Sequence, residues 1–124
     1  MDQPNYNEPI VMYEGDAKPH LDGDEIVRSY FRTGKLNFSV STLDPGQKSS
    51  LDPGHAGAHE IGYIIQGTIM VEFPGLGQSV RLEAGDGVFI PESQPHTLYN
   101  VGVETAKMIW STAPNLGRAP TGGV

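Results

Sequence analysis

The stretch His55-Ala56-Gly57-Ala58-His59-Glu60, running on through Tyr63-Ile64-Ile65-Gln66-Gly67, sets two imidazoles and a carboxylate at the mouth of a hydrophobic run. A second stretch answers it. Gly85-Asp86-Gly87-Val88-Phe89-Ile90-Pro91 opens on a turn signal and passes through an apolar strand; Gln94-Pro95-His96 then delivers another imidazole at the head of a strand reaching Asn100. Neutral imidazole and carboxylate are the usual donors to Zn²⁺, Fe²⁺, Mn²⁺ and Ni²⁺, and two His with one carboxylate on one face leave coordination positions open. The expectation is that these distant segments meet at one metal.

The rest of the chain is built from short pieces. Sixteen Gly and ten Pro among 124 residues interrupt it often enough to favour an all-β barrel or sandwich over a helical fold. The length suits one domain with a single core. Without cysteine there are no disulfides and no thiolate ligands, so a metal must sit on nitrogen and oxygen donors. Eight Lys and Arg against fifteen Asp and Glu give a net charge of −7, with no basic cluster that would suit nucleic acid. No apolar run approaches a membrane span, and the start Met-Asp-Gln-Pro-Asn has no basic or hydrophobic leader; a soluble, cytoplasmic domain is expected.

Along the chain, residues 1–9 read as an arm and Ile10–Tyr13 as a short strand. Residues 14–25, with five carboxylates, read as a solvated loop carrying a surface histidine, His20. Strands follow over Ile26–Phe31 and Leu36–Leu43. In the latter, Leu36, Phe38, Val40 and Thr42 alternate with Asn37, Ser39, Ser41 and Leu43, so one face is buried. Asp52-Pro53-Gly54 marks a turn. Residues 59–66 and 68–73 form a hairpin candidate hinged at Gln66-Gly67; further strands are Val80–Leu82, Val88–Ile90, His96–Asn100 and Thr105–Thr112. No window keeps a helical period. The domain reading is an arm with edge strands over 1–35, a barrel core over 36–113 and a flexible tail over 114–124.

Strand geometry constrains which donors can converge. With Glu60 inward, Gly62 and Ile64 share its face, while Ile61, Tyr63 and Ile65 point out. His59, adjacent to Glu60, then points outward unless a bulge re-aims it as a fourth ligand. His55 lies in Gly-rich irregular chain and is free in direction. A carboxylate such as Glu60, opening an apolar strand, is costly to bury unless paired or metal-bound. The candidate metal ligands are therefore His55, His59, Glu60 and His96. No G-x-S-x-G elbow, P-loop, dinucleotide fingerprint or H-E-x-x-H is present, and no catalytic residue is singled out.

The spacing of these residues resembles the two motifs of the cupin superfamily, G-x5-H-x-H-x3-4-E-x6-G and G-x5-P-x-G-x2-H-x3-N. Glu60 falls on the metal-binding Glu, His55 on the second His of the first motif and His96 on the His of the second; Gly67, Gly85, Pro91 and Asn100 fall on structural positions. Pro53 stands where the first His would be, and Ser93 where the second motif has Gly before its His. The resemblance covers residues 36–112. It implies an antiparallel double-stranded β-helix, the RmlC-like jelly-roll barrel, with a divalent metal (Fe, Zn, Mn or Ni) on His and Glu ligands. The function implied is an enzyme of dioxygenase, isomerase or lyase type acting on a small polar molecule. The alternative is a non-catalytic small-molecule-binding or sensory cupin, metal-free if Pro53 costs a ligand. Small cupins pair through a sheet, and the apolar segments Ile26–Phe31 and Met108–Trp110 exceed what one small barrel covers, so a homodimer is expected.

Overall fold

The computed structural model describes residues 5–115. Among the described residues there are nine strands: β1 (Pro19–Asp22), β2 (Glu25–Arg32), β3 (Asn37–Leu43), β4 (His59–Gln66), β5 (Thr68–Phe73), β6 (Gln78–Glu83), β7 (Gly87–Ile90), β8 (Thr97–Asn100) and β9 (Ala106–Ala113). They form a six-stranded antiparallel sheet in the order β1-β2-β3-β9-β4-β7 and a three-stranded sheet in the order β6-β5-β8. Among the described residues the only helical pieces are single 3-10 turns at Glu14–Asp16 and Pro74–Leu76. The fold is the expected antiparallel jelly-roll barrel.

Period-two burial drives the assembly. Along β4, Glu60, Gly62 and Ile64 are buried and Ile61, Tyr63 and Ile65 exposed, the phase anticipated for this strand. Inward residues of both sheets meet in one core: Leu43, Ile64 and Ile90 of the larger sheet, with Met108 and Trp110 of β9, pack against Ile69, Val71, Phe73, Leu82 and Leu98 of the smaller. Trp110 lies flat against β4 because Gly62 has no side chain; a Cβ there would come within 2.3 Å of the indole ring.

Several local expectations are corrected. Residues 59–66 and 68–73 are strands, but not partners: β4 pairs with β7 and β9, β5 with β6 and β8. One residue between them is too short for a hairpin. Gly67 (φ +87°) instead turns the chain from one sheet into the other, pressed so near Ala106 that a Cβ would lie 2.8 Å from its Cα. Ile10–Tyr13 forms no strand, and Val11 and Tyr13 are exposed. The acidic segment is not a solvated loop throughout. Its end is β1, hydrogen-bonded to β2, which buries Asp22 and Glu25. His20 is not a surface residue: it is half-buried on β1, opposite the fully buried Val27. In β3 the buried phase is Asn37, Ser39, Ser41 and Leu43, with Phe38, Val40 and Thr42 outward. Residues 116–124 of the expected tail and 1–4 of the arm lie outside the described residues.

Candidate metal centre

The loop between β3 and β4 is not loose. It runs antiparallel to β8, with Gly46 N–H donating to Asn100 O (3.0 Å), Ser49 N–H to Leu98 O (2.9 Å), and Asp52 and His96 exchanging backbone bonds of 2.8 and 2.9 Å. Asn100 closes the far end, its amide donating to the carbonyls of Leu43 (2.8 Å) and Glu104 (2.9 Å) while its oxygen accepts from Gly102 N–H. At the near end, Gly54 (φ +89°) passes against Ser93 and Gln94, where a Cβ would sit 2.4 Å from the Gln94 nitrogen. Ser93 itself holds φ +56°, the left-handed conformation that explains why the family motif has Gly there. Gly57 N–H donates to the Glu92 carboxylate (2.6 Å) and Ser93 N–H to His55 O (3.3 Å), fixing the loop to the β7–β8 turn.

These constraints bring four side chains together. His96 Nε2 lies 3.3 Å from Glu60 Oε1 and 3.6 Å from Asp52 Oδ2; His55 Nε2 lies 3.9 and 3.7 Å from the same two oxygens. One donor atom from each of Asp52, His55 and Glu60 falls within 4.8 Å of the others. Asp52, Glu60 and His96 are buried and His55 nearly so. Two of the four are oriented from behind. His96 Nδ1 is 2.9 Å from the Gln94 carbonyl, to which it donates, leaving the Nε2 lone pair for the cluster. Asp52 Oδ1 accepts from Gly54 N–H (2.8 Å), leaving Oδ2. His55 Nε2 and Glu60 Oε1 are buried without a hydrogen-bond partner in the protein, a costly state that a shared cation would relieve. One imidazole nitrogen and two carboxylate oxygens within 4.8 Å of one another, with the His96 nitrogen 3.3 and 3.6 Å from the same two oxygens, are donors of the kind a divalent metal takes.

His55, Glu60 and His96 thus converge. His59 does not. It is exposed, on the opposite face of β4 from Glu60, with its ring 4.9 Å from that of Phe89; no bulge re-aims it. The fourth side chain of the cluster is Asp52, whose sequence context reads only as a turn. Its one visible signal was adjacency to Pro53, a single residue from the family's missing His.

Proton affinities in this interior are displaced in one direction. Burial pushes the Glu25 carboxyl up to about 8, with the nearby Ser41 hydroxyl opposing the rise and Asp22 and Glu60 adding to it. Asp52 is the main influence raising His55 above its ordinary 6.5, against burial, with Glu60 helping and His96 opposing. At His96 burial is the largest influence and lowers the value, but Glu60, Asp52 and the Gln94 carbonyl together outweigh it. All three folded values lie above the unfolded ones, so the metal-free folded state holds protons that the unfolded chain has released. That stability is complete below the unfolded values and is lost as pH rises through the folded ones. Chelator-treated protein is therefore expected to melt at steadily lower temperature between about pH 5 and about pH 8. A melting temperature that is flat or rising across that window in the metal-free protein would contradict these assignments.

Comparison with known proteins gives a match to the cupin-domain family model over residues 39–112. A curated relative, "Polyketide synthase CurC" of Streptomyces cyaneus, is 29% identical over 77 residues, which are 62% of this chain. The chain spans about half that relative's length, 48%. Among solved structures, a predicted oxalate decarboxylase from Thermotoga maritima superposes with TM-score 0.73 at 20% identity, over 85% of this chain and 99% of that one. KdgF from Halomonas sp. gives 0.73 at 19%, over 89% and 97%. At these identities the likeness is one of fold. The family match, by contrast, spans both of the histidine-bearing segments and the strands that carry them, and on that basis the chain belongs to the cupin family.

Proposed function

We propose that Asp52, His55, Glu60 and His96 hold one divalent first-row metal and that the protein is a small metal-dependent enzyme acting on a small polar molecule. The observation that carries this reading is the pair of buried, unpartnered donors, His55 Nε2 and Glu60 Oε1, within 3.9 Å of each other and flanked by His96 and Asp52. When bound, such a metal supplies Lewis acidity, or with iron an O₂-binding position. The chain's own part is to fix four donors on a zipped loop and two strands, and to keep them buried. The curated relative's printed role in polyketide synthesis agrees with an oxygen-rich organic substrate. Protein purified without a chelating tag should carry about one metal per chain, and oxygen uptake or product formation in a screen of small acids and sugars should follow its loading. Protein that stays metal-free after incubation with Fe²⁺, Mn²⁺, Zn²⁺ and Ni²⁺ would sink the proposal.

The same reading includes a homodimer. Its support is the outer face of the larger sheet, where Ile61, Tyr63 and Phe89 are 55%, 48% and 55% exposed and line, with Phe38 and Ile109, a groove of about 650 Å³. Exposed aromatic and aliphatic side chains gathered on one sheet face are the kind of surface a second copy could cover. Light scattering should give twice the chain mass, and Ile61→Arg should halve it. A monomer at micromolar concentration before substitution would refute pairing.

A further inference from the structure

We propose that the inner wall made by Asn37 and Ser39 of β3 and Trp110 and Thr112 of β9, beside the metal-binding cluster, binds an uncharged small molecule carrying several hydroxyl or carbonyl groups. The proposal rests on the functional reading above and adds the class of substrate.

Register places the four side chains together. Asn37 pairs with Thr112 and Ser39 with Trp110, while on the other edge of β9 Thr112 pairs with Glu60 and Trp110 with Gly62. All four point inward and are more than nine-tenths buried: Asn37 6%, Ser39 1%, Trp110 3% and Thr112 3% exposed. Yet Asn37 Oδ1, Ser39 Oγ, Trp110 Nε1 and Thr112 Oγ1 each lack a hydrogen-bond partner in the protein. A buried, unsatisfied polar atom destabilises a fold by about 1–3 kcal/mol. Four on one patch is a costly choice for a core that Val or Ala would fill. Patches of this kind are kept where something else completes the bonds.

The chemistry of the patch limits what that is. One amide oxygen accepts, one indole N–H donates and two hydroxyls do either; none is charged. Four carboxylates, Asp22, Glu25, Asp52 and Glu60, are buried in the domain, and no Lys or Arg is buried among the described residues. The cationic side chain that register brings nearest, Arg32 opposite Asn37, is only partly buried at the end of β2. With two carboxylates and two neutral imidazoles, a bound divalent cation leaves the cluster without net charge. An anionic ligand would therefore lose hydration without a buried positive partner. A polyol, sugar or polyketone loses little and satisfies all four atoms.

The test needs no knowledge of the natural ligand. Trp110 is the only tryptophan and its N–H is one of the four groups, so indole emission reports on the wall directly. In metal-free protein, Ser39→Ala and Thr112→Val should each raise the melting temperature, because each removes an orphaned hydroxyl while keeping shape. D-xylose should shift the emission of the parent chain, D-xylonate should do so at least tenfold more weakly, and the two substitutions should weaken the xylose response about tenfold each. Lower melting temperatures in both variants would mean that the hydroxyls are already satisfied, and would overturn the proposal. So would xylonate binding more tightly than xylose, or neither sugar moving the emission. Because every measurement is made without metal, its failure leaves the metal assignment standing, and loss of metal binding leaves this result intact.

Discussion

His96→Ala should lower metal affinity by more than about 100-fold, since removal of residues that merely orient ligands already costs 10–100-fold. Here a donor is lost outright, and two buried carboxylates, Asp52 and Glu60, lose the imidazole that faces both of them at 3.6 and 3.3 Å. Glu60→Gln should be comparably severe, because it keeps the shape and removes the charge. Asp52→Asn tests the donor found only through the structure, and the same order of loss is expected. His59→Ala is the control: with its ring against Phe89 on the outer face, it should leave metal content unchanged. Binding by the parent should weaken as pH falls through the values of His55 and His96, both raised above the ordinary 6.5, because protonated imidazoles cannot ligate. Metal content by plasma emission and competition with a chromogenic chelator would read all of these. Full occupancy retained by both His96→Ala and Glu60→Ala would end the shared-site reading.

Gly54→Ala should be severely damaging for so small a substitution. At φ +89° an L side chain costs about 1–2 kcal/mol in backbone strain alone. The added Cβ would also meet main-chain atoms, 2.4 Å from Gln94 N and 2.6 Å from Ser93 C, which cannot rotate away. A total near 4 kcal/mol is expected, a drop of roughly 10–20 °C in melting temperature for a domain of this size. Gly46→Ala separates the two contributions. It has φ +78° and no atom within 4 Å of the built Cβ, so only the strain should appear. Because Gly54 is the point at which the His55 loop touches the turn before His96, the variant should also lose metal. If the two alanine variants melted together, close approach at Gly54 would not be what holds those segments.

Much of this site was readable before any coordinates. Glu60's inward phase follows from strand alternation across Ile61–Ile65, and His55 and His96 follow from motif spacing. What escaped depends on partners far away in the chain. Asp52 faces the cluster because its backbone bridges to His96, and nothing local in Asp52-Pro53-Gly54 reports that pairing. Asp22 and Glu25 looked solvated because a carboxylate-rich segment usually is. Their burial comes from the β1–β2 ladder, with the Ser50 hydroxyl bonded to Asp22. The phase of β3 is the most instructive case. Phe38 and Val40 face out while Asn37, Ser39 and Ser41 face in beside Leu43, against what hydrophobic patterning predicts, and the departure coincides with the wall assigned to ligand.

The position of β9 has a consequence for how the chain is made. Ninth in order of synthesis, it lies in the interior of the larger sheet, between β3 and β4. A ribosome therefore releases both neighbours well before the strand that joins them. Until Ala106–Ala113 emerges, the facing edges of β3 and β4 have unpaired amides and carbonyls, open to the same strand from another nascent chain. Trp110 and Thr112 are missing from the interior for just as long. Among the described strands β9 comes last and closes the larger sheet, so a partly synthesised chain holds Asp52, His55, Glu60 and His96 and still lacks the wall beside them.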